Sequence, residues 1–166
     1  MLRDTLRRVA LCAGIAFVLM QLSRPPRTNP HSDPAGSFEA VTSPHPEFAS
    51  VLRRACMDCH SNETSWLWYS NVAPASWLMS RDVIEGRAHL NLSEWSFYPP
   101  QKSRSRVAEM CAAVKNREMP LWNYTAIHPK ARLSPEDVAR LCQAARTERA
   151  ALRLGVGMSQ MVQRRR

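Results

Sequence analysis

The chain has 166 residues, enough for one domain with appendages, and 45% of them are apolar, ordinary for a packed core. Its net charge of +9 is spread unevenly: residues 45–142 carry +2, residues 1–44 another +2 and residues 143–166 the remaining +5. A surplus held at the chain ends reads as topology signal and solvated tail, and without a base-stacking or nucleic-acid fold signature the reading is no nucleic-acid partner.

Five glycines against twelve prolines predict helices joined by stiff connectors. Arg3, Arg7 and Arg8 precede an apolar run from Val9 to about Leu22. That is a charged region followed by an apolar core, the form of a targeting segment. The run is short for a span, which needs about 20 apolar residues, although snorkelling arginines stretch it. No small-residue cleavage site follows. The favoured reading of residues 1–23 is an uncleaved anchor helix with its positive end in the cytoplasm, and a cleaved signal is the alternative. Residues 24–44, rich in Pro, Ser, Thr and Asn, read as a linker that holds the domain off the membrane.

Pro46 suits a first helical turn, and Phe48, Val51, Leu52 and Ala55 fall at i, i+3, i+4 and i+7. The helix they predict ends on Cys56-Met57-Asp58-Cys59-His60, a C-x-x-C-H sequence. This is the attachment signature of a c-type haem. Two thiols add across the vinyl groups on one edge of a rigid macrocycle, and the His that follows reaches the iron from the proximal side. Two other chemistries use C-x-x-C. Zinc wants four ligands, usually with a second tight pair, and Cys12, Cys111 and Cys142 are widely separated singletons. A dithiol redox motif usually opens a helix after a strand, whereas this one closes a helix.

Trp66, Trp68 and Tyr69 follow, flat apolar surface suited either to a porphyrin or to core packing. A second helix is predicted from Pro74 to about His89, and Pro99-Pro100 then breaks the chain. A third runs from about Ser103 to Arg117, with Val107, Met110, Cys111 and Val114 on one face. Behind it comes Met119-Pro120, where the proline pushes Met119 towards an extended backbone. The last helix opens on Ser134-Pro135-Glu136-Asp137, with Leu133 and Val138 at staple positions and Leu141, Cys142 and Ala145 facing inward. Cys111 and Cys142 both lie on inward stripes. An oxidising compartment permits a disulfide between them, but the favoured reading is two buried thiols acting as small apolar groups. Residues 155–166 lose the periodicity and read as a disordered basic tail, so residues 45–154 are the expected domain.

The order of helix, C-x-x-C-H, helices, Met-Pro loop and capped last helix is similar to a small monohaem cytochrome c. More closely, the chain resembles the haem-binding domain family of bacterial cytochrome c-like proteins. The residues that carry the resemblance run from Cys56 to Thr64, then Trp68-Tyr69-Ser70, Ala73-Pro74, Ser76-Trp77, Asp82-Val83, Gly86-Arg87 and Asn91 to Trp95. Met119-Pro120, Tyr124, His128-Pro129, Ala131 and Leu133-Ser134 continue it. Leu67 stands where the family pattern has Pro. The resemblance implies an all-α, cytochrome c-like domain around one covalent haem c, held by Cys56, Cys59 and His60. It also implies a secreted, membrane-tethered placement.

For the sixth ligand the candidates are Met119, His45, His89 and His128. His45 lies in a Pro-rich stretch and His89 ends a helix without special framing. Met119 is favoured by its place behind the third helix and by Pro120, and His128, in a loop ahead of the last helix, is the alternative. His60 and Met119 together leave no open iron position, which points to an electron carrier rather than an enzyme, with an unidentified redox partner protein. The other reading is a haem-based sensor or oxidoreductase with a displaceable sixth ligand. The expected location is the bacterial inner membrane, single-pass, with the haem domain in the periplasm; a soluble periplasmic protein follows if the segment is cleaved.

Overall fold

The computed structural model describes residues 2–143, and these fold entirely into helices, turns and loops, with no strand among them. The α-helices are α1 (Leu2–Met20), α2 (Phe38–Thr42), α3 (Pro46–Ala55), α4 (Met57–His60), α5 (Ala75–His89), α6 (Pro100–Lys115) and α7 (Trp122–Ile127). An eighth, α8, occupies residues 135–143 as far as the described residues go. The all-α expectation therefore holds. The expected tail, residues 155–166, lies outside the described residues, as does Ala145.

The helix signals act much as their chemistry dictates. Pro46 takes the first position of α3, and Phe48, Val51, Leu52 and Ala55 are all buried. In α6 the helix starts three residues earlier than periodicity suggests, because Pro100 fills the first position, where its missing N–H costs nothing. At α8 the Asp137 N–H donates to Ser134 Oγ at 3.1 Å and the Ser134 N–H donates to Asp137 Oδ2 at 2.9 Å. This reciprocal box satisfies two backbone donors at the helix start. Leu133 and Val138 pack against the core on either side of it. Arg54, at the end of α3, donates to the same Asp137 carboxylate and to the carbonyls of Lys130 and Arg132, so α3 carries the loop before α8.

The core gathers Phe38, Phe48, Val51, Leu52, Leu92, Trp95, Val107, Val114, Leu141 and Cys142. Phe38 meets the Trp95 ring edge-on with centroids 4.8 Å apart. Side chains of this size, fully buried, contribute about 1.5–3 kcal/mol each.

Three expectations need revision. First, residues 24–44 are not a free spacer. Phe38, within this stretch, is buried in the core, and the segment before it is strapped along α5. Gln21 grips the backbone of Ala73, accepting its N–H at 2.9 Å and donating to its carbonyl at 3.3 Å. Further on, Trp77 Nε1 donates to Ser23 O (2.7 Å), Ser80 Oγ to Pro26 O (2.8 Å) and Arg87 to Thr28 O (2.8 Å). The prolines that suggest a linker keep this strap extended, so its carbonyls face the donors of α5.

Second, Cys111 and Cys142 are not two thiols but a disulfide, with Cα atoms 4.8 Å apart. The inward stripes put both sulfurs on the facing sides of α6 and α8, within bonding geometry. Closing a loop across 31 positions contributes about 3–4 kcal/mol in the chain-entropy picture.

Third, α1 forms where the apolar run lies and is exposed along nearly its whole length, yet among the described residues no helix is long and apolar enough to cross a membrane. Its uncharged stretch, Val9–Met20, spans roughly 18 Å at 1.5 Å per residue, against about 30 Å of hydrocarbon.

Candidate haem-attachment site

The chain kinks at Cys56, which caps α3 with φ −126° and ψ −40° and then starts the single turn of α4. The Cys59 and His60 N–H groups both donate to Cys56 O, at 3.2 and 2.9 Å. Residues three apart on such a turn share a face, so the two thiols point the same way. Neither is in a disulfide, and both are half-buried.

Burial pushes the Cys56 thiol up to about 12, against the opposing pull of Arg54. Cys59 also rises to about 12, from burial and then from the carboxylates of Asp58 and Asp82. Such thiols stay protonated near neutrality. A redox-active dithiol needs the reverse, an attacking sulfur with a lowered pKa. Zinc fits no better, since no group of three or more His, Cys, Asp or Glu gathers for a metal ion among the described residues.

His60 is held from behind. Its Nδ1 lies 2.9 Å from Gly86 O and 3.0 Å from Leu90 O. Carbonyls only accept, so Nδ1 carries the proton and the neutral ring keeps its lone pair on Nε2. Burial lowers the His60 pKa, against the two carbonyl bonds that raise it, and so favours the neutral, metal-binding form. A proximal ligand to haem iron needs this arrangement: one nitrogen fixed by a backbone acceptor, the other available.

Both acceptors sit at the end of α5, and α5 comes this close because of Gly86. A Cβ there would lie 2.4 Å from Cys59 O and 3.0 Å from its carbonyl carbon. The loop after the motif is fastened just as tightly. Arg87 donates to Ser61 O (2.7 Å) and Thr64 Oγ1 (2.8 Å), and Asn62 bonds Ser93, Glu94 and Asn91.

Asp58, between the cysteines, ties the motif to α7. Its Oδ2 accepts from Tyr124 O–H at 2.6 Å and its Oδ1 from Ser65 N–H at 3.0 Å. Burial and then the Asp58 carboxylate push the Tyr124 phenol well above its usual range. Tyr124 stacks on His128 with centroids 4.1 Å apart. His128 Nδ1 donates to Tyr124 O at 3.1 Å, which leaves Nε2 to accept from Tyr69 O–H at 2.9 Å.

Met119 lies in the turn between α6 and α7, 36% exposed, and its N–H donates to Ala113 O at 3.3 Å. A cis peptide joins it to Pro120. His45 caps the start of α3 and His89 ends α5, and both are exposed. The structure thus brings Cys56, Cys59 and His60 together, leaves Met119 on a separate turn, and engages both nitrogens of His128. Periodicity and spacing give no role to Asp58, Gly86 or Tyr124. For Gly86 a signal exists: a glycine inside a helix costs roughly 0.5–1 kcal/mol relative to Ala, so one retained there marks a close approach.

This donor set fits a haem. Two protonated thiols share a face, and an imidazole presents a free Nε2. Large apolar side chains stand exposed on the flanking segments, Trp68 at 77% and Trp122 at 82%. The chain belongs to the haem-binding domain family, whose family model matches residues 15–147. It is accordingly a haem-binding protein. No curated protein and no solved structure matches the chain.

Replacing Gly86 by Ala tests the close approach. Helix propensity alone favours Ala, but the added methyl meets the Cys59 carbonyl, which is backbone and cannot rotate away. Gly86→Ala should lose about 1–3 kcal/mol of stability and carry less haem per chain, read by thermal unfolding and by the haem-to-protein absorbance ratio. Unchanged values would mean that α5 does not need this contact.

Proposed function

We propose that this protein is a c-type cytochrome domain that carries electrons outside the cytoplasm. Cys56 and Cys59 would hold one haem by thioether bonds, His60 would bind its iron through Nε2, and Met119 would supply the sixth ligand. The observation that carries the reading is the pair of backbone acceptors on His60 Nδ1. They pre-set the tautomer and orientation that a proximal histidine needs. The bound haem would supply a one-electron couple between ferric and ferrous iron. The chain's own part is to hold His60 neutral and aimed, and to keep Cys56 and Cys59 on one edge of the ring.

Two observations support Met119 over His128. Both nitrogens of His128 already have partners, Tyr124 O and the Tyr69 hydroxyl. Met119 is an exposed residue on a turn, free of helical constraint. A Met thioether together with His60 would raise the potential of the bound haem and leave no open ligand position, as suits electron transfer to a redox partner protein. Met119→Ala should abolish the weak sulfur-to-iron band at the red edge of the oxidised spectrum and lower the midpoint potential. His128→Ala should leave the band intact. The opposite pair of outcomes hands the position to His128. A wild-type protein that lacks the band and binds an added gas ligand is the sensor or oxidoreductase instead.

Two features support the proposed location. The Cys111–Cys142 disulfide belongs to an oxidising compartment, where disulfides persist. The arginine-led apolar run of α1 has the form of an export signal or a short membrane tether. The proposed placement is the bacterial inner membrane with the haem domain in the periplasm, or a soluble periplasmic form after cleavage. A reporter that matures only in the periplasm, fused behind residue 166, should be active. Activity of a cytoplasm-only reporter at that position reverses the topology.

A further inference from the structure

We infer that Tyr124 is a positioning residue for the iron: its hydrogen bond to Asp58 clamps α7, and with it the Met119 turn, against the haem-bearing turn. The inference rests on the Met119 reading above and adds the means by which that ligand is kept in place.

The geometry is specific. Asp58 stands between the two cysteines, so whatever grips its carboxylate grips the segment that carries the haem. Tyr124 grips it at 2.6 Å. Among the described residues this is the only side-chain hydrogen bond from α7 to residues 56–60. The opposite oxygen of Asp58 is taken by Ser65 N–H, so the carboxylate cannot turn to follow a moving α7. A second, longer bond runs from Asn123 to Asp82 on α5 at 3.3 Å. The far end of α7 is held through His128, which accepts from Tyr69.

Met119 lies five residues before Tyr124, at the near end of the same short segment. On its other side the Glu118 and Met119 N–H groups both donate to Ala113 O of α6, at 2.9 and 3.3 Å. The disulfide fastens α6 to α8. The Met119 turn is therefore suspended between α6 and α7, and among the described residues only the α7 side is hydrogen-bonded to residues 56–60. Loosening Tyr124 frees that side while leaving Met119 itself intact.

Phe at position 124 keeps the ring and its stacking on His128 and removes only the hydroxyl. The test is imidazole titration of the purified, haem-loaded full chain in its ferric form, with the sulfur band recorded alongside. Tyr124→Phe should bind imidazole about tenfold more tightly than wild type and show a weakened sulfur band. Asp58→Ala should do the same, and the double variant should match Asp58→Ala alone, because Tyr124 then has no carboxylate left to lose. A merely structural role lowers thermal stability and leaves imidazole affinity within twofold of wild type, and that result overturns the inference. Should Tyr124→Phe fail to accumulate, Asp58→Ala reads the same clamp from its other partner. Failure of the parent reading looks different: the wild type then shows no sulfur band, and Met119→Ala leaves imidazole affinity unchanged.

Discussion

The two hydrogen bonds that His60 Nδ1 donates to Gly86 O and Leu90 O decide what this site can be. An imidazole bonded through Nδ1 to carbonyls has one tautomer, and its other nitrogen is left as a lone-pair donor. Burial favours the uncharged ring. Those carbonyls come from the last turn of α5, so the placement of α5 against α4 is the constraint from which the rest follows. Gly86 permits that placement by leaving out a methyl that would strike the Cys59 carbonyl.

Much of the remaining chain serves to keep α5 there. The strap over residues 21–29 runs along it, fixed at Ala73, Trp77, Ser80 and Arg87. Arg87 reaches both ways, to the strap at Thr28 and Asn29 and to the post-motif loop at Ser61 and Thr64. Its flat guanidinium satisfies several acceptors at once, which a lysine ammonium cannot reproduce with the same directions. On the other side of the motif, Arg54 carries the start of α8 through Asp137. The motif is thus braced by residues next to it in sequence, by α5 and, through Tyr124, by α7.

How much of this was legible in the residues follows a physical line. Short-range chemistry was readable: Pro46 opening α3, the box at Ser134 and Asp137, and the buried stripe of Phe48, Val51, Leu52 and Ala55 all depend on neighbours within a turn or two. The spacing of Cys56, Cys59 and His60 was readable because one helical turn brings them together. Long-range pairing was not. Residues 24–44 look like a linker because their composition lacks periodicity, but their bonds go to α5, and composition carries no record of a partner 50 positions away. The disulfide illustrates the same limit: inward stripes put Cys111 and Cys142 in the core, and only the packing of α6 against α8 makes them meet. Tyr124 and Asp58 are 66 positions apart in the chain, and nothing local marks either one.

The central claim is that Cys56 and Cys59 bind haem covalently and that His60 is a ligand to its iron. It is tested most directly by precipitating the purified full-length protein in acid–acetone, digesting it and weighing the peptide that contains residues 56–60. The haem is expected to stay with the protein and this peptide to be heavier by one haem, with neither thiol open to alkylation. Haem that extracts into the acetone, with both thiols alkylated, would contradict it.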